Sequence, residues 1–115
     1  MPDPIAYKVL TADQLVSIET GEPWTGAPVD IADGFVHLST ADQLAETIDR
    51  HFSDEADLQI AAVDLDAYGD AVRWETSRGG QLFPHLYAPL TLDALLAYGP
   101  LEREEDGTIR LPVTG

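Results

Sequence analysis

The sequence predicts an α+β fold in a single domain spanning residues 1–115, with about six short strands in a mostly antiparallel sheet and two or three helices. Three observations support this prediction. Short apolar alternations typical of strands outnumber the helical patterns. The connections in the second half are too short for the crossovers that parallel strands need. A chain of 115 residues with 44% hydrophobic residues can also bury one core.

The chain begins with a predicted strand and helix. Residues 5–10 alternate as a strand does, and Thr11 with Gln14 forms a capping box that starts a helix. Gly21 is expected to end this helix. Residues 22–31 contain two prolines and a glycine, and we interpret them as a loop.

Residues 33–40 are interpreted as a turn at Asp33 and Gly34, a short strand, and the start of a second helix. Their sequence, D-G-F-V-H-L-S-T, places His37 between apolar neighbours, directly before two hydroxyl residues. Thr40 repeats the capping pattern of Thr11, and residues 44–52 then show a helical apolar face. This arrangement would present the imidazole of His37 close to a helix N-terminus, where an anion can bind.

The second half is predicted to be mostly strands. Residues 58–65 are apolar enough for a central strand, whereas Pro84 makes residues 82–87 an edge or irregular strand. Residues 92–98 are expected to form a short helix capped by Thr91, and Asp106-Gly107 predicts a closing hairpin between short strands at residues 101–104 and 108–111.

Residues 72–75 alternate so that Val72 and Trp74 share one face while Arg73 and Glu75 share the other. Arg73 and Glu75 either serve a binding site or form surface ion pairs. On the following strand, Phe83, His85 and Tyr87 share a face, which suits either a stacking platform for a ligand or an aromatic cover for the core.

Composition excludes several classes of function. The net charge of −15 is unsuited to long nucleic acids and to anionic membranes. Without cysteine the chain can form neither a disulfide nor a thiolate zinc site. No apolar run reaches the roughly 20 residues of a membrane span, and the N-terminus lacks a signal-peptide pattern, so we expect a cytoplasmic monomer or weak homodimer.

The chain resembles the small bacterial family called domain of unknown function 952. The resemblance rests on the segments Y-K-V-L at residues 7–10, D-G-F-V-H-L-S-T at 33–40, W-E at 74–75 and F-P-H-L-Y at 83–87. It implies a split sheet similar to that of ADP-ribosyltransferases, many of which bind NAD. The H-L-S piece is also similar to a segment of RNA 2′-phosphotransferases, which implies that His37 contacts the adenylate part of NAD or a phosphate.

Together these observations predict a pocket for a nucleotide-like ligand, with NAD as a possible cofactor. We assign catalytic roles to His37 and Glu75. The predicted ligand-binding residues are Lys8, Ser39, Thr40, Trp74, Arg78, Phe83, His85 and Tyr87. Two alternatives stay open: a non-enzymatic binding module on the same fold, and a metal site formed by His37, Glu75 and His85.

Overall fold

A computed structural model describes residues 5–52, 57–76, 80–107 and 109–111. The described strands are β1 (Ile5–Leu10), β2 (Val36–His37), β3 (Gln59–Asp64), β4 (Val72–Thr76), β5 (Leu82–Leu86), β6 (Leu95–Pro100), β7 (Glu102–Arg103) and β8 (Ile109–Arg110). The described helices are α1 (Ala12–Glu19), α2 (Pro28–Asp33) and α3 (Leu44–His51). All strand pairings between these elements are antiparallel, which confirms the predicted α+β class.

The strands form two three-stranded sheets and a separate hairpin. The first sheet has the order β1-β3-β6 and the second has the order β2-β5-β4. The central position of β3 in the first sheet confirms the prediction made from its apolar run. Strands β7 and β8 pair as the predicted hairpin, although Thr108, included in the predicted second strand, lies outside the described residues.

The first sheet is covered on both faces. One face packs against α3, with Leu44 and Ile48 buried on it, as the helical pattern predicts. The other face packs with α1 and the second sheet around a core that includes Leu10, Ile18 and Leu86. Since the second sheet turns its apolar face to this core, its opposite face is left for polar side chains.

The capping box of α1 is present as predicted. Gln14 N–H donates to Thr11 Oγ1 at 3.2 Å, and Thr11 N–H donates to Gln14 Oε1 at 3.0 Å. A 3₁₀ turn at Ala41–Gln43 precedes α3, and there the Thr40 N–H donates to Gln43 Oε1 at 3.0 Å. Thr40 therefore occupies the predicted position at the start of the second helical unit.

Helix α2 corrects the prediction of a loop over residues 22–31. Pro28 occupies the first turn, where its missing N–H costs nothing and its fixed φ suits the helix. Gly34 ends the helix with a φ of 90°, and its N–H donates to the Asp30 carbonyl at 2.8 Å. Pro28, taken as a loop residue, thus starts a short helix that Gly34 ends, and residues 22–27 before it lie outside any helix, as predicted.

Strand β5 is central, so the prediction of an edge strand at Pro84 was wrong. The N–H and C=O of a strand residue point to the same neighbour, and the Pro84 carbonyl accepts from Leu38 N–H at 3.2 Å. The missing N–H of Pro84 therefore faces Leu38, one residue beyond the end of β2. The proline removes one hydrogen bond where this ladder stops, and pairing with β4 continues past it.

The predicted helix over residues 92–98 is also absent. Only Leu92–Ala94 form a 3₁₀ turn, and Leu95–Pro100 extend as β6 along β3. Leucine and alanine favour a helix locally, but pairing with a buried strand outweighs that weak preference. Among the described helices, none is long and apolar enough to cross a membrane.

Candidate functional site

The polar face of the second sheet brings together most of the side chains that the sequence singled out. His37 of β2 lies opposite His85 of β5, and Arg73 of β4 lies opposite His85 on its other side. Residues directly opposite in antiparallel strands share a face, as do residues two apart along a strand. Glu75 and Tyr87 therefore lie on this face too. We call this surface the polar face.

Glu75 is held by two donors. His85 Nδ1 contacts Glu75 Oε1 at 2.8 Å, and Tyr87 Oη donates to the same oxygen at 2.6 Å. The hydrogen bond from Tyr87, followed by that from His85, lowers the pKa of Glu75, and the same bond to the carboxylate raises the pKa of Tyr87. From the described residues, no hydrogen bond reaches the second oxygen of Glu75, so Oε2 can accept from a ligand.

Phe35 packs the aromatic rings of the polar face together. Its ring stacks on that of His85 with centroids 4.0 Å apart, and lies 4.6 Å from His37 and 5.2 Å from Tyr87. The rings of His37 and His85 meet edge to face at 5.7 Å. Phe35 covers His85, which is only 6% exposed. The contact of His85 with the accessible surface is its hydrogen bond to the exposed carboxylate of Glu75.

His37 is oriented by Asp30 of α2. Its Nδ1 lies 2.5 Å from Asp30 Oδ1, and its backbone N–H donates to the same oxygen at 3.0 Å. The other ring nitrogen, Nε2, lies 3.0 Å from Oδ2 of Asp33. About a third of the His37 side chain is exposed, so the imidazole is accessible although both of its nitrogens have partners.

Asp30 is buried and compensated by a buried lysine. Lys8 Nζ lies 3.0 Å from Asp30 Oδ2 and 3.2 Å from Oδ1, and Ala27 N–H donates to Oδ2 at 2.7 Å. Burial alone would raise the pKa of Asp30, but the hydrogen bonds from His37 and the charge of Lys8 outweigh it and lower the pKa to about 2. Burial lowers the pKa of Lys8, and Asp30 opposes that change.

The backbone makes room for this carboxylate at Gly26. A Cβ placed on Gly26 would lie 2.5 Å from the Cβ of Asp30, and the φ of Gly26 is 122°. Both the close approach and the positive φ therefore require glycine.

Arg73 provides positive charge on the polar face and, among the described residues, has no carboxylate within 4.0 Å, although its charge contributes to the lowered pKa of Glu75. Among the described residues the other four cations, Lys8, Arg50, Arg103 and Arg110, each contact a carboxylate within 4.0 Å. Arg73 instead lies over the ring of Tyr87, 4.9 Å from its centroid. Its guanidinium can therefore still accept an anionic partner.

Several predicted ligand-binding residues lie away from the polar face or on its margin. Ser39 is buried, and its Oγ is 3.0 Å from Thr47 Oγ1. Trp74 faces the core, which confirms its pairing with Val72 on one face. Phe83 is buried two residues before His85, and Arg78 lies outside the described residues.

Lys8 joins the site only indirectly, through Asp30, and Thr40 stands at the N-terminal end of its 3₁₀ turn. Among the described residues, no group of three His, Asp or Glu side chains is arranged to hold a metal ion. That includes the set of His37, Glu75 and His85 considered from the sequence.

The sequence interpretation missed Asp30, Asp33 as a partner of His37, and the stacking role of Phe35. A proline followed by an acid two residues later and a glycine four residues after that is a pattern of a short capped helix, and P-V-D-I-A-D-G fits it. That pattern could have placed α2. It could not have shown that Asp30 turns inward toward Lys8, 22 residues away.

The chain is similar to a family model and to solved structures of a bacterial protein. A family model described as "Protein of unknown function (DUF952)" matches residues 9–98. A crystal structure of protein CC0527 from Caulobacter crescentus superimposes with a TM-score of 0.82 at 36% identity, covering 93% of this chain and 94% of that one. The solution NMR structure of CC0527 gives a TM-score of 0.77 at 36% identity, covering 91% and 90%. No curated protein matches the chain.

Proposed function

Because the chain belongs to the DUF952 family, which is described only by its unknown function, we propose a function from the geometry of the polar face. The polar face binds a small phosphorylated, nucleotide-like ligand, and NAD and ADP-ribose are the first candidates. Its ligand-contacting groups are Glu75, His37, Tyr87 and Arg73.

One observation carries this proposal: two of the accessible groups, Glu75 and His37, are each held by a buried partner. The carboxylate of Glu75 is 39% exposed and is bonded to His85, whose side chain is 7% exposed. The imidazole of His37 is 34% exposed and is bonded to Asp30, whose side chain is fully buried. Groups oriented in this way lose little freedom when a ligand binds, which is typical of binding and catalytic sites.

The chemistry of these groups suits a ribose next to a phosphate. Oε2 of Glu75, which accepts no hydrogen bond from the described residues, can accept one from a ribose hydroxyl, and the planar guanidinium of Arg73 suits phosphate oxygens. Arg73 and His37 flank His85 on neighbouring strands, so their backbones are roughly 10 Å apart, two strand spacings. The guanidinium of Arg73 and the imidazole of His37 can thus contact different parts of one extended anionic ligand.

The resemblance to ADP-ribosyltransferases adds a reaction to this binding proposal. Two short antiparallel sheets are compatible with the split sheet of that group. In such a reaction, the bond between nicotinamide and the C1′ carbon of the NAD ribose would break, nicotinamide would leave, and the oxygen of a water molecule would bond to C1′ and lose its proton, which gives ADP-ribose. The carboxylate of Glu75 would stabilise the positive charge that develops at C1′, and His37 would orient the cofactor.

A second candidate function is a non-enzymatic binding module. It is favoured by the openness of the polar face, where Tyr87 is 40% exposed and Glu75 is 39% exposed. Catalysis at a developing charge benefits from the exclusion of water, and an open sheet face does not supply it. A binding module uses the same residues without turnover.

Thermal unfolding with NAD, ADP-ribose and AMP tests the binding proposal. A ligand present at 100 times its dissociation constant stabilises the folded chain by about 2.7 kcal/mol. We expect stabilisation of the wild-type chain and its loss in Glu75→Gln. The control is Glu102→Gln, which removes the same charge from an exposed ion pair with Arg110. Absence of stabilisation by all three compounds at millimolar concentration would contradict the proposal.

Turnover separates the two candidate functions. Incubation of the purified chain with NAD, followed by chromatography for nicotinamide and ADP-ribose, supports the enzyme if Glu75→Gln folds normally but loses the products. Binding of NAD without any product supports the binding module.

A further inference from the structure

The ring of His37 lies between two carboxylates, the buried one of Asp30 and the exposed one of Asp33. Among the described residues, the Asp30 carboxylate contacts the Lys8 ammonium, the backbone N–H groups of Ala27 and His37, and the ring nitrogen Nδ1 of His37. An ionised carboxylate is an acceptor only, so Nδ1 must carry a proton. Asp30 therefore fixes the ring with its other nitrogen, Nε2, directed away from the core.

Nε2 is in turn occupied by Asp33, whose Oδ2 lies 3.0 Å away. With Nδ1 protonated, a second proton on Nε2 makes the ring an imidazolium, and in that form the ring is an ion-pair partner for an ionised Asp33. In its protonated form His37 therefore directs a positive charge outward, and in the unliganded chain the anion beside Nε2 is the carboxylate of Asp33.

The carboxylates of Asp30 and Asp33 differ in how easily each can be displaced from the His37 ring. Asp30 is buried with a buried counter-ion, and breaking such a pair is costly. The side chain of Asp33 is 50% exposed, and no other ion pair or hydrogen bond is recorded for it among the described residues. An acid in the last residue of a helix is also disfavoured by the helix dipole, so the stability of α2 does not account for it.

We propose that Asp33 occupies the position of an anionic group of the ligand and that this group, a phosphate or a carboxylate, displaces Asp33 from Nε2 of His37. The proposal rests on the proposed function, because it assigns one contact of the same site. Only a rotation of the exposed Asp33 side chain is needed, and the helix and Asp30 stay in place.

Local charge supports the exchange. Lys8 and Asp30 balance each other, so among the described residues Asp33 is the remaining carboxylate within 4.0 Å of the His37 ring. When Asp33 turns away, a protonated His37 presents its positive charge to the polar face, where Arg73 lies over the Tyr87 ring and has no described carboxylate within 4.0 Å. A phosphate with more than one negative charge then competes well against one exposed carboxylate.

The test uses inorganic phosphate and the ring nitrogens of His37, observed in long-range proton–nitrogen NMR spectra and assigned with His37→Gln. We expect phosphate to shift Nε2 of His37 and to bind up to about fivefold more tightly to Asp33→Asn than to the wild type, since an exposed pair is worth about 1 kcal/mol at most. Asp66→Asn is the control, because it removes one charge from an exposed turn. Its affinity should equal that of the wild type.

Equal affinities of Asp33→Asn and Asp66→Asn for phosphate would overturn the inference, as would a phosphate titration that leaves His37 unshifted. Asp33→Ser repeats the comparison without an amide that could itself bond to Nε2. The proposed function fails separately: if NAD does not bind but Asp33→Asn gains affinity for phosphate, the exchange at His37 stands without the nucleotide. If NAD binds and both Asp33 variants behave like the wild type, only the exchange is refuted.

Discussion

Lys8 and Asp30 lie 22 residues apart in the sequence, and in the folded chain their buried side chains form an ion pair at 3.0 Å. Lys8 belongs to β1 and Asp30 to α2, so the pair joins the first sheet to the helix that carries the partners of His37. The orientation of the accessible imidazole thus depends on a contact in the protein interior.

Replacing Asp30 should destabilise the chain strongly. In Asp30→Asn the buried ammonium of Lys8 loses its counter-ion, and breaking a buried pair costs about 3–5 kcal/mol. Asp49→Asn is the matched control, because Asp49 pairs with Arg103 at an exposed site and should lose at most about 1 kcal/mol. Urea denaturation measures both, and a loss in Asp30→Asn no larger than that of the control would contradict the buried role.

The stability that Asp30 supplies should depend on pH in the acid range. Its pKa is lowered from 3.8 to about 2 by folding, so the folded state binds a proton less readily than the unfolded state. The resulting contribution, about 2 kcal/mol, is present above the unfolded pKa near 4 and is lost as the pH falls toward 2. The free energy of unfolding of the wild type minus that of Asp30→Asn, measured from pH 6 to roughly pH 2, should shrink across this window. A constant difference would argue against the lowered pKa.

Glu75 and Tyr87 should titrate as partners. Ionisation of the Tyr87 phenol breaks its hydrogen bond to the carboxylate and places two negative charges together, which raises the pKa of Tyr87. In Glu75→Gln the carboxylate charge is gone, so the pKa of Tyr87 should move back toward its ordinary value of 10.0. NMR titration of the Tyr87 ring measures this change, with Tyr98 as an internal reference. An unchanged midpoint would mean that the 2.6 Å contact does not persist in solution.

Substitutions at Ser39 and Glu75 should have different effects, one on the stability of the chain and the other on its affinity for a ligand. The hydroxyl of Ser39 is buried against Thr47, so Ser39→Ala should lose about 1 kcal/mol of stability and leave the affinity for a nucleotide unchanged. Glu75→Gln should lose affinity for a nucleotide and keep the stability of the wild type, because Glu75 is accessible and lies on the sheet surface. Thermal unfolding with and without ligand gives both quantities for each variant. A loss of affinity in Ser39→Ala would restore Ser39 to the binding set.

Local patterns in the sequence were sufficient to predict those helices and strands whose stability depends on neighbouring residues or on one apolar face. The capping box of α1, the face of α3 and the alternation of β4 all follow from spacing, and each was confirmed. The same alternation placed Glu75 on one face of its strand and His85 with Tyr87 on one face of theirs. Their gathering on one sheet face therefore followed once β4 and β5 paired.

Elements decided by distant partners were not predictable from such patterns. Residues 95–100 form a strand because β3 supplies hydrogen bonds along them, and Pro84 is tolerated in a central strand because β2 ends beside it. Asp30 was missed for the same reason. Its burial depends on Lys8 and on the space left by Gly26, and neither is visible from the residues next to it.

Lys8 is the single lysine of the chain, and it is 5% exposed. Reagents that acylate primary amines should therefore leave the side chains of the folded chain unmodified until the region between β1 and α2 opens. The rate of acylation at Lys8 then reports the local opening of the ion pair that orients His37, without a label or a mutation at the site. Lys8, which neutralises the buried carboxylate of Asp30, thus also reports chemically how often this part of the site opens.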